Sequence, residues 1–157
     1  KGGLVQAGPR PGSHEVIEAA RKLGLTVALA TNPVVSLAVD KVRMAWGELD
    51  PSGFADVSHI GNARRTKPNA LYFEEFAAQL GCAASECLMV GNDAGSDFPR
   101  PSIGMPVAYV GHGRPKKGVF RGSLIELASR LPELIATLDA QRNVSATSAT
   151  LPYAMTR

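Results

Sequence analysis

No stretch of this chain approaches the roughly 18 consecutive apolar residues of a membrane-spanning helix, so the sequence offers no transmembrane segment and no membrane partner. Cysteine is scarce. Cys82 and Cys87 lie five positions apart, a spacing that matches no zinc-ligand pattern and builds no disulfide framework, and the reading is two thiols in a reducing cytoplasm. There is also no long basic run. The net charge of +3 and the isoelectric point near 9.1 come from a modest excess of Lys and Arg, which argues against nucleic-acid binding while allowing a mild affinity for anions. No segment repeats. The chain opens on Lys1 rather than Met, in glycine-rich linker-like material, so the lack of a signal peptide carries no information. A final absence concerns aspartate: of Asp40, Asp50, Asp56, Asp93, Asp97 and Asp139, none has a second Asp two positions on, and none ends an N-terminal apolar strand.

What is present is 157 residues with 45% hydrophobic content, one domain's worth of chain with enough periodic segments to bury a core. Pro9 to Gly12 is punctuation. Ser13 is placed to cap a helix with Val16, Ala19, Ala20 and Leu23 on one face and Gly24 as its stop. Leu25 to Ala30 is a near-continuous apolar run, read as a buried strand that delivers Thr31 and Asn32 at its carboxyl end. Val35, Ala38, Val39, Val42, Ala45 and Trp46 trace one face of a second helix, with Trp46 expected in the core or an interface, and Phe54 to Ile60 reads as an edge strand in which His59 is structural. Lys67 stands before Pro68 and a helix bearing Phe73, Phe76, Ala77 and Leu80, so its ammonium group is held near a fixed point. That helix stops at Gly81.

Cys87 to Val90 is another apolar run, ending abruptly in Gly91-Asn92-Asp93 with Asp97 four residues on. In parallel α/β sheets ligands bind beyond the carboxyl ends of such strands, and two carboxylates there attract a hard cation. Pro106 to Val110 reads as a further strand, Gly111 to Gly122 as an exposed loop around His112, and Ser123 with Glu126 as a capping box for a last helix that Pro132 interrupts or kinks. Beyond Gln141 the periodicity disappears.

Three polar sites therefore follow apolar strands or precede a helix: Thr31-Asn32, Lys67, and Asp93 with Asp97. A hydroxyl and a backbone amide can hold a phosphate oxygen, a lysine can neutralise developing charge, and carboxylates can hold magnesium, which together describe a phosphoryl-transfer site. The order resembles the haloacid dehalogenase (HAD) superfamily over about Arg10 to Val110. Leu25-Thr26-Val27-Ala28-Leu29-Ala30-Thr31-Asn32-Pro33 is similar to its second motif, Lys67-Pro68-Asn69-Ala70-Leu71-Tyr72-Phe73 to its third, and Leu88-Met89-Val90-Gly91-Asn92-Asp93 with Asp97 to its fourth. The resemblance implies a three-layer Rossmann-like α/β core with a mostly parallel sheet. It implies that Thr31 and Lys67 act in catalysis, that Thr31, the Asn32 amide and Lys67 bind the phosphoryl group of a small phosphorylated substrate, and that Asp93 or Asp97 serves Mg2+. Many relatives carry Asp where this chain has Asn92, which favours Asp93 as ligand, with Asp97 as ligand or as a partner behind it.

The family's first motif, Asp-x-Asp at the end of the first and central strand, is the one missing here. A phosphoaspartyl mechanism needs that carboxylate. The expected organisation is thus a linker over residues 1–12 arriving from an upstream segment, a partial HAD-like core over 13–139 lacking the first central strand, and a disordered tail over 140–157. The expected function is a magnesium-dependent phosphohydrolase core that is inactive as an isolated chain and is completed by an upstream segment of the same protein. The alternative is a non-catalytic remnant that binds phosphate-bearing ligands or a protein partner.

Overall fold

The computed structural model describes residues 8–113 and 115–149; residues 1–7 of the expected linker and 150–157 of the expected tail lie outside them. Helices form where apolar residues recur at helical spacing. They are α1 (Ser13–Lys22), α2 (Leu37–Trp46), α3 (Ala70–Gln79) and α4 (Leu124–Ala149). Short extended runs between them supply β1 (Met89–Gly91), β2 (Val107–Tyr109) and β3 (Phe120–Arg121). All pairing is parallel, in the order β1-β2-β3, with Met89 opposite Val107, Gly91 opposite Tyr109 and Ala108 opposite Phe120.

β2 is buried at every position because helices cover both faces of the sheet. On one side Ala108 and Phe120 meet Leu127 and Leu131 of α4, with Val16, Ala19 and Ala20 of α1 packed against them. On the other, Met89 and Val107 meet Tyr72 and Phe73 of α3, joined by Ala30 and Phe98. This is the three-layer α/β arrangement expected from the sequence.

Several local expectations change. Gly12, not Ser13, caps α1. Its φ of 88° is left-handed, and a Cβ there would overlap the Leu124–Ile125 backbone at the start of α4, so glycine is what lets the two helices approach. Leu25 to Ala30 and Phe54 to Ile60 are extended and parallel, but they share a single bridge, Leu29 with Val57. Three backbone bonds make this ladder: Ala55 N–H to Val27, Leu29 N–H to Asp56, and Ser58 N–H to Leu29. Leu25 to Ala30 is only partly buried, with Thr26 exposed, whereas Val57 and Ser58 of the other run are buried. β3 lies inside the expected loop; its two residues, between Val119 and Gly122, give too short a pattern to read.

Helix α2 turns the other way from its apolar stripe. Asp40 and Met44 are buried, whereas Val39, Val42 and Trp46 are exposed, Trp46 at 57%. Trp46 is therefore not a core residue. At the other end of the chain, the capping box forms as expected: the Ser123 N–H donates to Glu126 Oε2 at 2.7 Å, and the Glu126 N–H to Ser123 Oγ at 3.2 Å. Pro132 does not end α4, which also continues through 141–149 where a tail was expected. Arg142 pairs with Asp139 at 2.6 Å, an i, i+3 contact that supports the extra turns.

Leu127 shows 0% exposure where α4 meets the sheet. Leu127→Ala should lower unfolding free energy by about 3 kcal/mol, the ordinary cost of a large cavity in a packed core. A denaturant melt that moves by less than about 1 kcal/mol would show that α4 is not docked there.

Candidate functional site at the carboxyl ends of the strands

The polar positions picked out in the sequence come together. The Lys67 ammonium donates to Asp97 Oδ1 at 2.6 Å and to the Ala30 carbonyl at 3.0 Å. Asn32 Oδ1 accepts the Lys67 backbone N–H at 2.9 Å, which ties the second polar tip to the lysine loop. Asn69 then caps α3 by accepting the Leu71 N–H at 3.0 Å, so Pro68 precedes the cap rather than opening the helix. The lysine is fixed from both sides.

Asp97 is fully engaged. Its second oxygen accepts the N–H groups of Asn92 and Asp93, at 2.8 and 2.9 Å, so this carboxylate folds the loop after β1 back onto itself. Gly91 makes room for it, since a Cβ there would overlap the Asp97 side chain. With side-chain exposures of 10% for Lys67 and 4% for Asp97, the pair is nearly dry. Asp93 differs. It is exposed, and the Gly95 N–H at 2.8 Å, followed by the Ser96 hydroxyl and more weakly by Lys67, holds its carboxyl below the usual range. An ionised, accessible carboxylate at a strand tip suits a hard cation. Among the described residues, no three Asp, Glu, His or Cys side chains gather to hold a metal. Magnesium here would take Asp93 as its carboxylate and draw its remaining oxygens from elsewhere.

Thr31 sits at the end of the Leu25 to Ala30 run with its hydroxyl donating to the Ser58 carbonyl at 2.7 Å. Its own carbonyl accepts from Ser58 Oγ at 2.8 Å and from the Tyr72 hydroxyl at 2.7 Å. The Ser58 and Tyr72 hydroxyl oxygens also lie 2.8 Å apart, so either hydroxyl can turn its proton to the other in place of the carbonyl. Sequence reasoning missed both. Tyr72 belongs to the buried face of α3, and its position beside Phe73 was the available signal. Burial first, and the Asp97 charge after the opposing Ser58 bond, push the Tyr72 hydroxyl up to about 12, so it remains a donor to Thr31. His59 serves its own turn, Nδ1 accepting the Gly61 N–H at 3.0 Å. His112 contributes a backbone carbonyl to the Tyr109 hydroxyl.

Between the two tips the backbone is open. Met89 and Gly91 bond toward β2, and in a parallel ladder the groups of the intervening Val90 point away from that partner. Ala28 stands in the same relation to the Leu29–Val57 bridge, and among the described residues its backbone has no partner. Two parallel edges are thus left unpaired by the described residues, and this is the slot whose end Lys67 spans through the Ala30 carbonyl and Asp97.

A family model for haloacid dehalogenase-like hydrolases matches residues 3–99, more than half of the chain. The chain belongs to this family. Among solved structures, the HAD-like chain is similar to a Thermotoga maritima protein described as a beta-phosphoglucomutase, with a TM-score of 0.67 and 16% identity over 80% of this chain. It is similar also to a beta-phosphoglucomutase from Clostridium difficile, with a TM-score of 0.67 and 16% identity over 83% of this chain. These likenesses concern the fold. The HAD-like chain spans 61% and 57% of the length of those two structures. A search of curated proteins found no match.

Two results are expected from the geometry. Lys67→Met and Asp97→Asn should each cost about 2–4 kcal/mol of stability, because each strands a nearly buried partner, and the double variant should cost clearly less than the sum. Additive losses in denaturant melts would mean that the pair is not coupled. Tyr72 yields a pH dependence: its hydroxyl titrates at about 12 in the folded chain, above the ordinary phenol value of 10.0. A raised pKa favours the native state fully below the unfolded value and is lost as pH rises through the folded one. Between these two values the wild type should therefore lose stability more steeply than Tyr72→Phe; parallel curves would remove the buried phenol from the account.

Proposed function

We propose that this chain forms the carboxyl-terminal part of a HAD-like phosphohydrolase core acting on a small phosphorylated substrate. The observation that carries the reading is the Lys67 ammonium, held on Ala30 and Asp97 across the mouth of an open slot, with Thr31, Asn32 and the Asp93 loop around it. In this proposal a strand from a further segment, upstream in the same protein, fills the slot and brings the nucleophilic carboxylate that none of the six aspartates supplies. The Lys67 ammonium then orients that carboxylate and neutralises charge as phosphorus is attacked. Thr31 and the Asn32 amide hold phosphoryl oxygens, which requires the Thr31 hydroxyl to turn from the Ser58 carbonyl. Asp93 would hold Mg2+, with Asp97 as ligand or as the group that sets the loop; when bound, the metal would supply charge stabilisation on the transferring group.

Among the described residues no helix is long and apolar enough to cross a membrane. In this reading the chain works in the cytoplasm, where Cys82 and Cys87 would rest as thiols. A second reading, a non-catalytic domain that binds a phosphate-bearing ligand or a protein partner, draws on one observation: Lys67 is already neutralised by Asp97, and no catalytic carboxylate faces it from the described slot.

The test is magnesium-dependent hydrolysis of p-nitrophenyl phosphate, by this chain alone and by the native polypeptide from its source cells. The chain alone should stay at background. A native polypeptide that extends upstream through an Asp-x-Asp strand should turn over, and lose about 100-fold or more on Lys67→Ala. Turnover by the chain alone that vanishes with Asp93→Ala would overturn the claim that the nucleophile comes from elsewhere. A native polypeptide starting near Lys1 and inactive would favour the second reading.

A further inference from the structure

Cys82 and Cys87 bracket the connection that carries the chain from α3 into β1. The 3-10 turn between them, Ala84–Glu86, is closed by Glu86 Oε2 accepting the Ala83 N–H at 2.7 Å and by the Cys87 N–H donating to the Ala84 carbonyl at 3.1 Å. This closure brings the thiols together at 3.3 Å, sulfur to sulfur. Each is also aimed by a carbonyl, Cys82 by Ala77 at 3.4 Å and Cys87 by Ala83 at 3.5 Å. Both residues are partly exposed, so a small reagent can reach them. A bonded pair needs an S–S separation of about 2.05 Å, so the sulfurs have about an ångström left to close on a turn already formed.

We propose that Cys82 and Cys87 are a reversible dithiol that a small disulfide, of the oxidised glutathione type, converts to an intramolecular bond. One cysteine gives its proton to solvent and its thiolate attacks a glutathione sulfur, forming a mixed disulfide and expelling one glutathione thiolate. The second cysteine, likewise deprotonated, attacks the protein sulfur of that mixed disulfide and expels the other glutathione. The protein loses two protons and two electrons, and the oxidant becomes two thiols. The new bond would staple the end of α3, whose opposite end follows Lys67, to the strand that ends at Gly91, leaving Thr31 and Asp93 untouched.

The local chemistry makes the step slow at neutral pH. Burial first, then contact with Cys82 and the charge of Glu86, push the Cys87 thiol up to about 12, against a pull from Arg142 of α4. Since the thiolate is the attacking species, oxidation should quicken as pH rises.

The test treats the folded 157-residue chain with oxidised glutathione, quenches in acid, and reads intact mass and linked peptides. Wild type should yield a species lighter by two hydrogens that contains a Cys82–Cys87 peptide, formed faster at mildly alkaline than at neutral pH. Cys82→Ser and Cys87→Ser should instead stall at the glutathione adduct, each accumulating about ten-fold more of it than wild type. Wild type that stalls at the same adduct, or that links only between two molecules, would overturn the proposal. So would wild-type thiols that stay unmodified while the single-cysteine variants react.

Discussion

The Lys67–Asp97 pair stands where two parts of a sheet fail to meet. On one side is the Leu29–Val57 bridge, on the other β1 with β2 and β3, and among the described residues no backbone ladder joins them. The lysine reaches a carbonyl of one part and the carboxylate of the other, while α3 lies beneath both through Tyr72 and Phe73, packed with Ala30 and Met89. A charge this dry is costly to desolvate, and it is tolerated because every contact around it is polar and close: two oxygens for the ammonium, and three donors for the carboxylate. The rest of the site follows from that constraint. The Asn92–Asp97 loop keeps its shape because Asp97 is pinned, and Thr31 keeps its place because Tyr72 arrives on the same helix that begins just after Lys67.

Much of this was legible in the sequence because the signals were local. Apolar runs ending in Thr31-Asn32 and in Gly91-Asn92-Asp93 marked strand tips, and a lysine before a helix marked a fixed charge. These sites converge because parallel strands all point their carboxyl ends the same way. The Ser123–Glu126 box was readable for the same reason, being a contact three residues long. What was hidden depended on distant partners. Helix α2 carries both an apolar stripe and the Asp40–Met44 face, and nothing local says which one the core will take. β3 is too short to have a period, and Ser58 acquires a role only because Thr31 and Tyr72 are placed beside it by other elements.

The family and the geometry meet at the slot. In a closed parallel sheet each interior strand satisfies backbone groups on both sides, whereas here Ala28 and Val90 have backbone groups on one side that no described residue meets. Water can satisfy them, and the lysine beside them is already nearly dry. In the proposed function a strand in that position would complete the ladder and set its carboxylate against an ammonium that already acts in a low dielectric, so assembly and chemistry would be one event.

Trp46 is the sole tryptophan, and α2 holds it in solvent beside Val42, on the stripe that the core left uncovered. The tryptophan emission of this protein therefore originates at one surface location. Its emission would be that of a hydrated indole in the folded state, so unfolding shifts it little, while anything settling on α2 moves it to the blue. The chain carries a built-in optical reporter for a face its own folding leaves bare.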